Sequence, residues 1–198
     1  MQSTIPIRLG APASVDDLRR SVAGKALLAT GATLFVAICA HISVPLYFTP
    51  VPITLQTLAV ILVGLALGPA LGFSALALYL AEGAIGLPVF SPQGLGGIAQ
   101  LLGPTGGFLL SYPLAAAAAG AVGQSIRLGR SRILAAILAG IAADALIFAF
   151  GAGWLAHLLH LAAGTGWHIG VAPFLPGEAL KIAAAAGAYT TLHRWHRA

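Results

Sequence analysis

Charged residues are almost absent from most of this chain: between Lys25 and Arg127, Glu82 is the sole Asp, Glu, Lys or Arg. Over all 198 residues the charged fraction is 8%, the hydrophobic fraction is 59% and the mean hydropathy is +0.94. Soluble domains carry about 25% charged residues. A soluble fold of this length could not bury so much apolar area, so we predict an all-α integral membrane protein in which abundant Gly and Ala allow close helix packing.

Prolines and glycines divide the apolar sequence into segments of membrane-spanning length. We predict six transmembrane helices, at about 25–44, 53–67, 70–87, 107–126, 133–161 and 176–193. The fifth segment exceeds the roughly 20 residues that a bilayer requires, so we expect it to break near 151–153. The loops at 46–52, 88–106 and 164–175 then share one side of the membrane.

The basic residues give the orientation of this bundle. The leader through Lys25, the 127–132 segment and the C-terminus hold every Lys and Arg except Lys181. With six spans these segments lie on one side, which the positive-inside rule makes cytoplasmic. Five or seven spans would scatter them over both sides. We therefore predict cytoplasmic termini, a polar leader over 1–24 and a single membrane domain over 25–198.

One acid and one base stand close together in the last apolar segment. The sequence 174–181, FLPGEALK, places Glu178 and Lys181 three residues apart. On a helix such residues share a face, with Cβ atoms about 5–6 Å apart, and Pro176 suits a first helical turn. Ionisable groups in a hydrocarbon setting are expensive and usually functional. The pair either neutralises itself or contacts a ligand.

Several neutral polar and aromatic residues are expected at the same outer level as this pair. Amide side chains suit a ligand with both donors and acceptors, and aromatic rings can wall an apolar body. Each of them could instead be an ordinary loop or packing residue. The candidate ligand contacts are Glu178, Lys181, Gln56, Gln93, Gln100, Thr105, Tyr79 and Phe90.

Other polar residues do not indicate catalysis or metal binding. We expect Asp144, near the middle of the fifth span, to be hydrogen-bonded between helices, with a role in coupling or substrate passage as the alternative. His157, His160 and His168 are interpreted as interfacial residues because no cysteine or carboxylate nearby completes a zinc site. The chain has no Walker A motif, so it cannot hydrolyse ATP by P-loop chemistry, and active transport would require a partner.

Four motifs follow one another along the chain: TPVPITLQT at 49–57, YLAEGAIGLPVF at 79–90, LGPTGGF at 102–108 and PFLPGEALK at 173–181. In this order they resemble one family, BioY, the biotin-binding S components of energy-coupling factor (ECF) transporters. The resemblance implies a six-helix protein of the bacterial cytoplasmic membrane that binds biotin from outside. It would deliver biotin with a transmembrane coupling protein and cytoplasmic ATPases. The alternatives are an S component for another vitamin, or a small membrane channel or intramembrane enzyme.

The resemblance also implies roles for individual residues. Glu178 and Lys181 match the family's acid and lysine, although the family's usual acid is Asp. The acid would accept the ureido N–H groups of biotin, and the lysine would pair with its carboxylate. Glu82 stands where the family has an apolar residue. Small residues at every fourth position of the first span, Ala29, Thr33 and Ala37, would contact the coupling protein, with packing inside the bundle as the alternative.

Overall fold

The computed structural model describes residues 20–126 and 131–195, and within them the chain is a helical bundle. Three stretches lie outside the described part, namely residues 1–19 of the predicted leader, residues 127–130 of the basic 127–132 segment and residues 196–198. The eight helices of the described part are α1 Val22–His41, α2 Gln56–Leu67, α3 Pro69–Ala84, α4 Gly97–Leu102, α5 Gly106–Ile126, α6 Arg132–Leu158, α7 Ala163–Gly170 and α8 Leu175–Trp195. A short antiparallel pair, β1 Ser43–Val44 with β2 Ile53–Thr54, closes the loop between α1 and α2.

Three of these helices, α1, α5 and α6, are long and apolar enough to cross a membrane. A fourth candidate span is the pair α7 and α8, which is bent by 52° at the break between Gly164–Gly170 and Leu175–Thr191. Helix α2 is apolar but has only 12 residues, and α3 has 16. The described residues therefore contain three candidate spans, or four with the bent pair, and the predicted membrane-embedded helical architecture is supported to that extent.

Helix α5 lies at the centre of the bundle and packs against α2, α3 and α6. Small residues allow these close contacts. A Cβ atom on Gly64 of α2 would strike the carbonyl oxygen of Ala116, and one on Gly120 would strike the backbone at Gly68. Close approach through Gly and Ala is the usual way in which helices pack in lipid, where the hydrophobic effect between helices is absent.

The structure corrects three of the predicted boundaries. Helix α6 is continuous from Arg132 to Leu158, so the break expected near 151–153 is wrong. The ring of Phe108 occupies the space beside Gly151, so this glycine serves helix packing. The segments 164–175 and 88–106 are also not pure loops, because they contain α7 and α4. A helix such as α6, whose apolar length exceeds the thickness of the membrane, can fit by tilting and needs no break.

Candidate functional site

The predicted acid–base pair is buried in the centre of the bundle. Helix α8 begins at Leu175, and the Glu178 amide already donates to the carbonyl of Phe174 at 2.9 Å. Lys181 Nζ donates to Glu178 Oε1 at 2.6 Å. Lys181 is 8% exposed and Glu178 is 5% exposed, so water screens this ion pair little.

Thr57, in the first turn of α2, completes the pair as a three-residue cluster. Its hydroxyl donates to Glu178 Oε2 at 2.7 Å and accepts from Lys181 Nζ at 3.0 Å. Both carboxylate oxygens of Glu178 therefore have partners, which a buried charge requires. The sequence prediction missed Thr57, although it follows Gln56 directly within the 49–57 motif.

A second hydrogen-bonded group ties α2 and α3 to the segment that follows α3. Gln56 Nε2 donates to the Tyr79 hydroxyl at 2.8 Å, and that hydroxyl donates to the carbonyl of Val89 at 2.8 Å. Thr54 Oγ1 donates to Gln56 Oε1 at 3.1 Å. The rings of Tyr79 and Phe90 meet edge to face with centroids 5.4 Å apart. These side chains form one hydrogen-bonded wall of the bundle, and the rings of Tyr79 and Phe90 pack against each other within it.

Side-chain hydrogen bonds hold the 88–106 segment to the bundle and also connect residues within it. Gln93 Oε1 accepts from Ser91 Oγ and Ser43 Oγ, each at 2.6 Å, and thereby connects this segment to the chain after α1. Gln100 Oε1 accepts from the amide of Gly96 at 3.1 Å. Trp154 Nε1 on α6 donates to the carbonyl of Gly103 at 2.9 Å. The segment is therefore anchored at several points.

These elements enclose a cavity of about 50 Å³. Of the predicted ligand contacts, five line it: Gln56, Gln100, Thr105, Glu178 and Lys181. Tyr79 and Phe90 do not, and Gln93 instead lines an outer depression beside Gln100 and Thr105. The lining residues that the sequence analysis did not single out are Val51, Pro52, Thr54, Thr57, Ser91, Phe108, Leu109, Tyr112, Ile147, Phe148 and Phe174.

The cavity combines an apolar lining with a small, clustered set of polar groups. It offers one ammonium, one carboxylate, two amides and several hydroxyls between aromatic rings. Such an arrangement fits an amphipathic ligand that has an anionic group, hydrogen-bonding donors and an apolar body. Since both oxygens of Glu178 are occupied, a ligand that binds there must replace one of its present contacts. Among the described residues, no group of three or more His, Cys, Asp or Glu side chains is arranged to hold a metal ion.

The surroundings of the small residues on α1 and of Asp144 bear on two other sequence expectations. Ala29, Thr33 and Ala37 are all buried, α1 packs against α3, and Thr33 Oγ1 donates to Glu82 Oε1 at 3.2 Å. Their burial against the bundle fits the packing alternative, and contact with a coupling protein stays a prediction. Asp144 does not make the expected interhelical bond: neither carboxyl oxygen has a hydrogen-bond partner within the described residues.

Several helices long and apolar enough to cross a membrane surround a buried polar cavity, and these features define the class of this molecule, an integral membrane protein with a cavity of the kind that takes a small molecule. Residues 12–198 match the model of the BioY family. The chain is 40% identical to a probable biotin transporter BioY of Pyrococcus horikoshii over 155 residues, which cover 77% of this chain and 87% of that protein. It is 36% identical to the biotin transporter BioY of Rhizobium etli over 171 residues, or 81% of this chain and 87% of the relative.

A solved structure gives the same result. The S component for biotin from an ECF-type ABC transporter superposes with a TM-score of 0.77 at 25% identity, covering 86% of this chain and 90% of that one. The chain belongs to the BioY family. The resemblance inferred from the four motifs is therefore confirmed, and the chain belongs among transporters and not among enzymes.

Proposed function

We propose that this chain captures biotin from outside the cell as the S component of an ECF transporter. The relatives are named biotin transporters, and the matching structure is an S component for biotin. The observation that carries the proposal is the Glu178–Lys181–Thr57 cluster, buried in a cavity that also presents the Gln56 and Gln100 amides. Its partners would be a transmembrane coupling protein and cytoplasmic ATPases, which supply the energy.

The chemistry of biotin matches these groups one by one. Biotin has a carboxylate, a planar ureido group with two N–H donors and one acceptor, and an apolar ring. The Lys181 ammonium is the cationic group among the residues that line the cavity and can pair with the carboxylate, and Glu178 can accept the ureido N–H groups. The amides of Gln56 and Gln100 and the hydroxyl of Thr105 can serve either donor or acceptor. Gln93, Tyr79 and Phe90 would support the walls.

We infer that the bundle crosses the bacterial cytoplasmic membrane six times, with both termini in the cytoplasm. The basic residues at Lys25, Arg132 and the segments adjoining them support this orientation through the positive-inside rule. Helices α2 and α3 would be the two short spans. The site then lies beneath the outward loops, at the first turns of α2 and α8, where a ligand from outside arrives.

Calorimetric titration of biotin into purified, ligand-stripped protein tests the proposal. We expect saturable one-to-one binding, and Lys181→Ala should weaken it roughly 30-fold or more, since truncating one partner of a buried charge pair is costly. Lys25→Ala is the matched control, because Lys25 is exposed in the first turn of α1. Its affinity should equal that of the unmodified protein.

Three results would contradict the proposal. Unchanged affinity in a folded Lys181→Ala variant would remove Lys181 from the site. Saturable binding of another vitamin, with none of biotin, would favour an S component of different specificity. Ion or solute flux through protein-containing vesicles, without saturable binding, would favour a channel.

A further inference from the structure

A second and larger cavity lies on the side of the bundle. It is a groove of about 610 Å³ between α6 and the bent pair α7–α8. The residues lining this lateral groove are almost all apolar, and several are exposed at the bundle surface, among them Ile141, Ala145, Ala149, Trp167 and Leu175. In a membrane the groove would open toward lipid chains. It lies outside the site proposed above.

Asp144 is the polar group of this groove with no partner. It lies near the middle of α6, is 6% exposed and lines the groove, and neither of its carboxyl oxygens has a hydrogen-bond partner in the described part of the chain. One turn before it, Gly140 packs against Ile182 of α8. Since α8 passes α6 at that point, Asp144 lies at the level of Glu178, which lines the same groove.

The acids at this level outnumber the bases. Asp144 and Glu178 are two acids, whereas Lys181 is the only base among the described residues buried at their side, and it is already paired with Glu178. A buried carboxyl group without a partner is costly in an apolar setting. A single cationic group at Asp144 would complete the set, and the apolar groove would accommodate a chain attached to it.

We propose that the lateral groove is a second binding site, which takes an amphiphile with one cationic head and one unbranched apolar chain, with Asp144 as the anchor of the head. The groove and the central cavity share Glu178 and Phe148 as a common wall. The amphiphile therefore binds beside the central site and does not displace the Lys181–Glu178 contact. The apolar residues of α6, α7 and α8 contact its chain.

Quenching of Trp167 fluorescence tests this site, because Trp167 lines the groove. The probes are three 12-carbon molecules brominated on the chain, a primary amine, an alcohol and a carboxylic acid, added to the purified protein in detergent. The groove signal is the quenching that Trp167→Phe removes. We expect saturable quenching by the amine, with weaker and non-saturating quenching by the alcohol and the acid.

Two variants separate the anchor from the chain site. Asp144→Asn should raise the half-saturating amine concentration roughly 30-fold, as expected for the loss of one partner of a buried charge pair. Ala179→Leu narrows the groove from α8 without touching Asp144 and should also weaken binding. Ala184→Leu, which is exposed on the side of α8 away from Ala179 and outside the groove, is the matched control and should change nothing.

Thermal unfolding of the same variants checks that they are folded, and biotin titration of the unmodified protein tests the proposed function separately. Equal quenching by the three probes would show ordinary partitioning into detergent and overturn the proposal. So would an amine half-saturation that Asp144→Asn leaves unchanged. A failure to bind biotin with intact amine quenching would contradict the proposed function and leave the groove site standing.

Discussion

Two buried acids lie at one level of this bundle in opposite situations. Glu178 has an ion-pair partner in Lys181 and a second contact from Thr57, so both of its oxygens are satisfied. Asp144 is equally buried, at 6% exposure against 5%, yet both of its oxygens lack partners in the described chain. The two acids line the same groove. Their difference is therefore one of partners and not of depth.

This difference separates two kinds of polar group in a membrane protein. A satisfied cluster such as Glu178–Lys181–Thr57 is organised before its ligand arrives, and a ligand gains affinity by exchanging contacts with it. An unsatisfied group destabilises the empty protein and is stabilised by whatever occupies its neighbourhood. Substitutions at the two places should therefore change stability in opposite directions.

The largest effect is expected from breaking the satisfied cluster. Lys181→Met leaves Glu178 buried without its cation and should lower the free energy of unfolding by about 3–5 kcal/mol. The double variant Glu178→Leu, Lys181→Met removes both charges and should recover most of that loss, because an apolar pair of similar volume fits the same space. Reversible unfolding in mixed micelles measures both. A double variant no more stable than the single one would contradict the assignment of the cost to the unpaired charge.

Thr57→Val tests the third member of the cluster at nearly constant volume. It removes a bond donated to the carboxylate and one accepted from the ammonium. Since hydrogen bonds to charged groups contribute about 1.5–3 kcal/mol each, the unfolding free energy should fall by a few kcal/mol, less than for Lys181→Met. Thr33→Val is the control for biotin affinity, because Thr33 is also buried on a helix and bonded to an acid, Glu82, but does not line the central cavity. Equal affinity for biotin in Thr57→Val and in the unmodified protein would exclude a role for this hydroxyl in the site.

The sequence predicted two of the three residues of the Glu178–Lys181–Thr57 cluster. Helical periodicity brings residues three apart onto one face, which was enough to pair Glu178 with Lys181. Thr57 is 121 residues away from Glu178 in the chain, and only the packing of α2 on α8 places its hydroxyl there. Charge distribution and hydropathy likewise predicted a membrane bundle, whereas the length of individual helices depended on contacts between them.

The errors have the same origin. The glycines near the end of α6 were interpreted as a break, but Gly151 provides room for a ring from the neighbouring helix α5. The small residues of α1 were expected either to contact the coupling protein or to pack inside the bundle, and their spacing alone does not tell which neighbour they face. Asp144 was expected to find a partner because buried polar groups usually do. Tertiary packing determines which face of each helix turns toward a given neighbour, and the spacing of residues along one segment does not predict it.

Asp144→Leu tests the stability cost of the acid that lacks a partner among the described residues. Replacing an unpaired buried carboxyl group by an apolar side chain of similar size removes a desolvation cost, so the free energy of unfolding should rise by about 1–3 kcal/mol. Reversible unfolding in mixed micelles, as for Lys181→Met, measures this change in the free energy of unfolding, which should have the opposite sign. Asp144→Asn keeps an unpaired polar group and should be close to neutral. A loss of stability in Asp144→Leu would mean that Asp144 is satisfied in the membrane after all.

The smallest effect is expected at the anchor between α6 and the 88–106 segment. Trp154→Phe keeps an aromatic ring beside Gly107 but removes the bond that Trp154 Nε1 donates to Gly103. One such neutral bond contributes about 0.5–1.5 kcal/mol, so overall stability should hardly change. Gly103 lies two residues before Thr105, which lines the central cavity, and the looser segment should release biotin a few times faster. Trp167→Phe, on the lateral groove, should leave the dissociation rate as it is. If both variants release biotin at the rate of the unmodified protein, the bond between Trp154 and Gly103 does not limit the exit of the ligand.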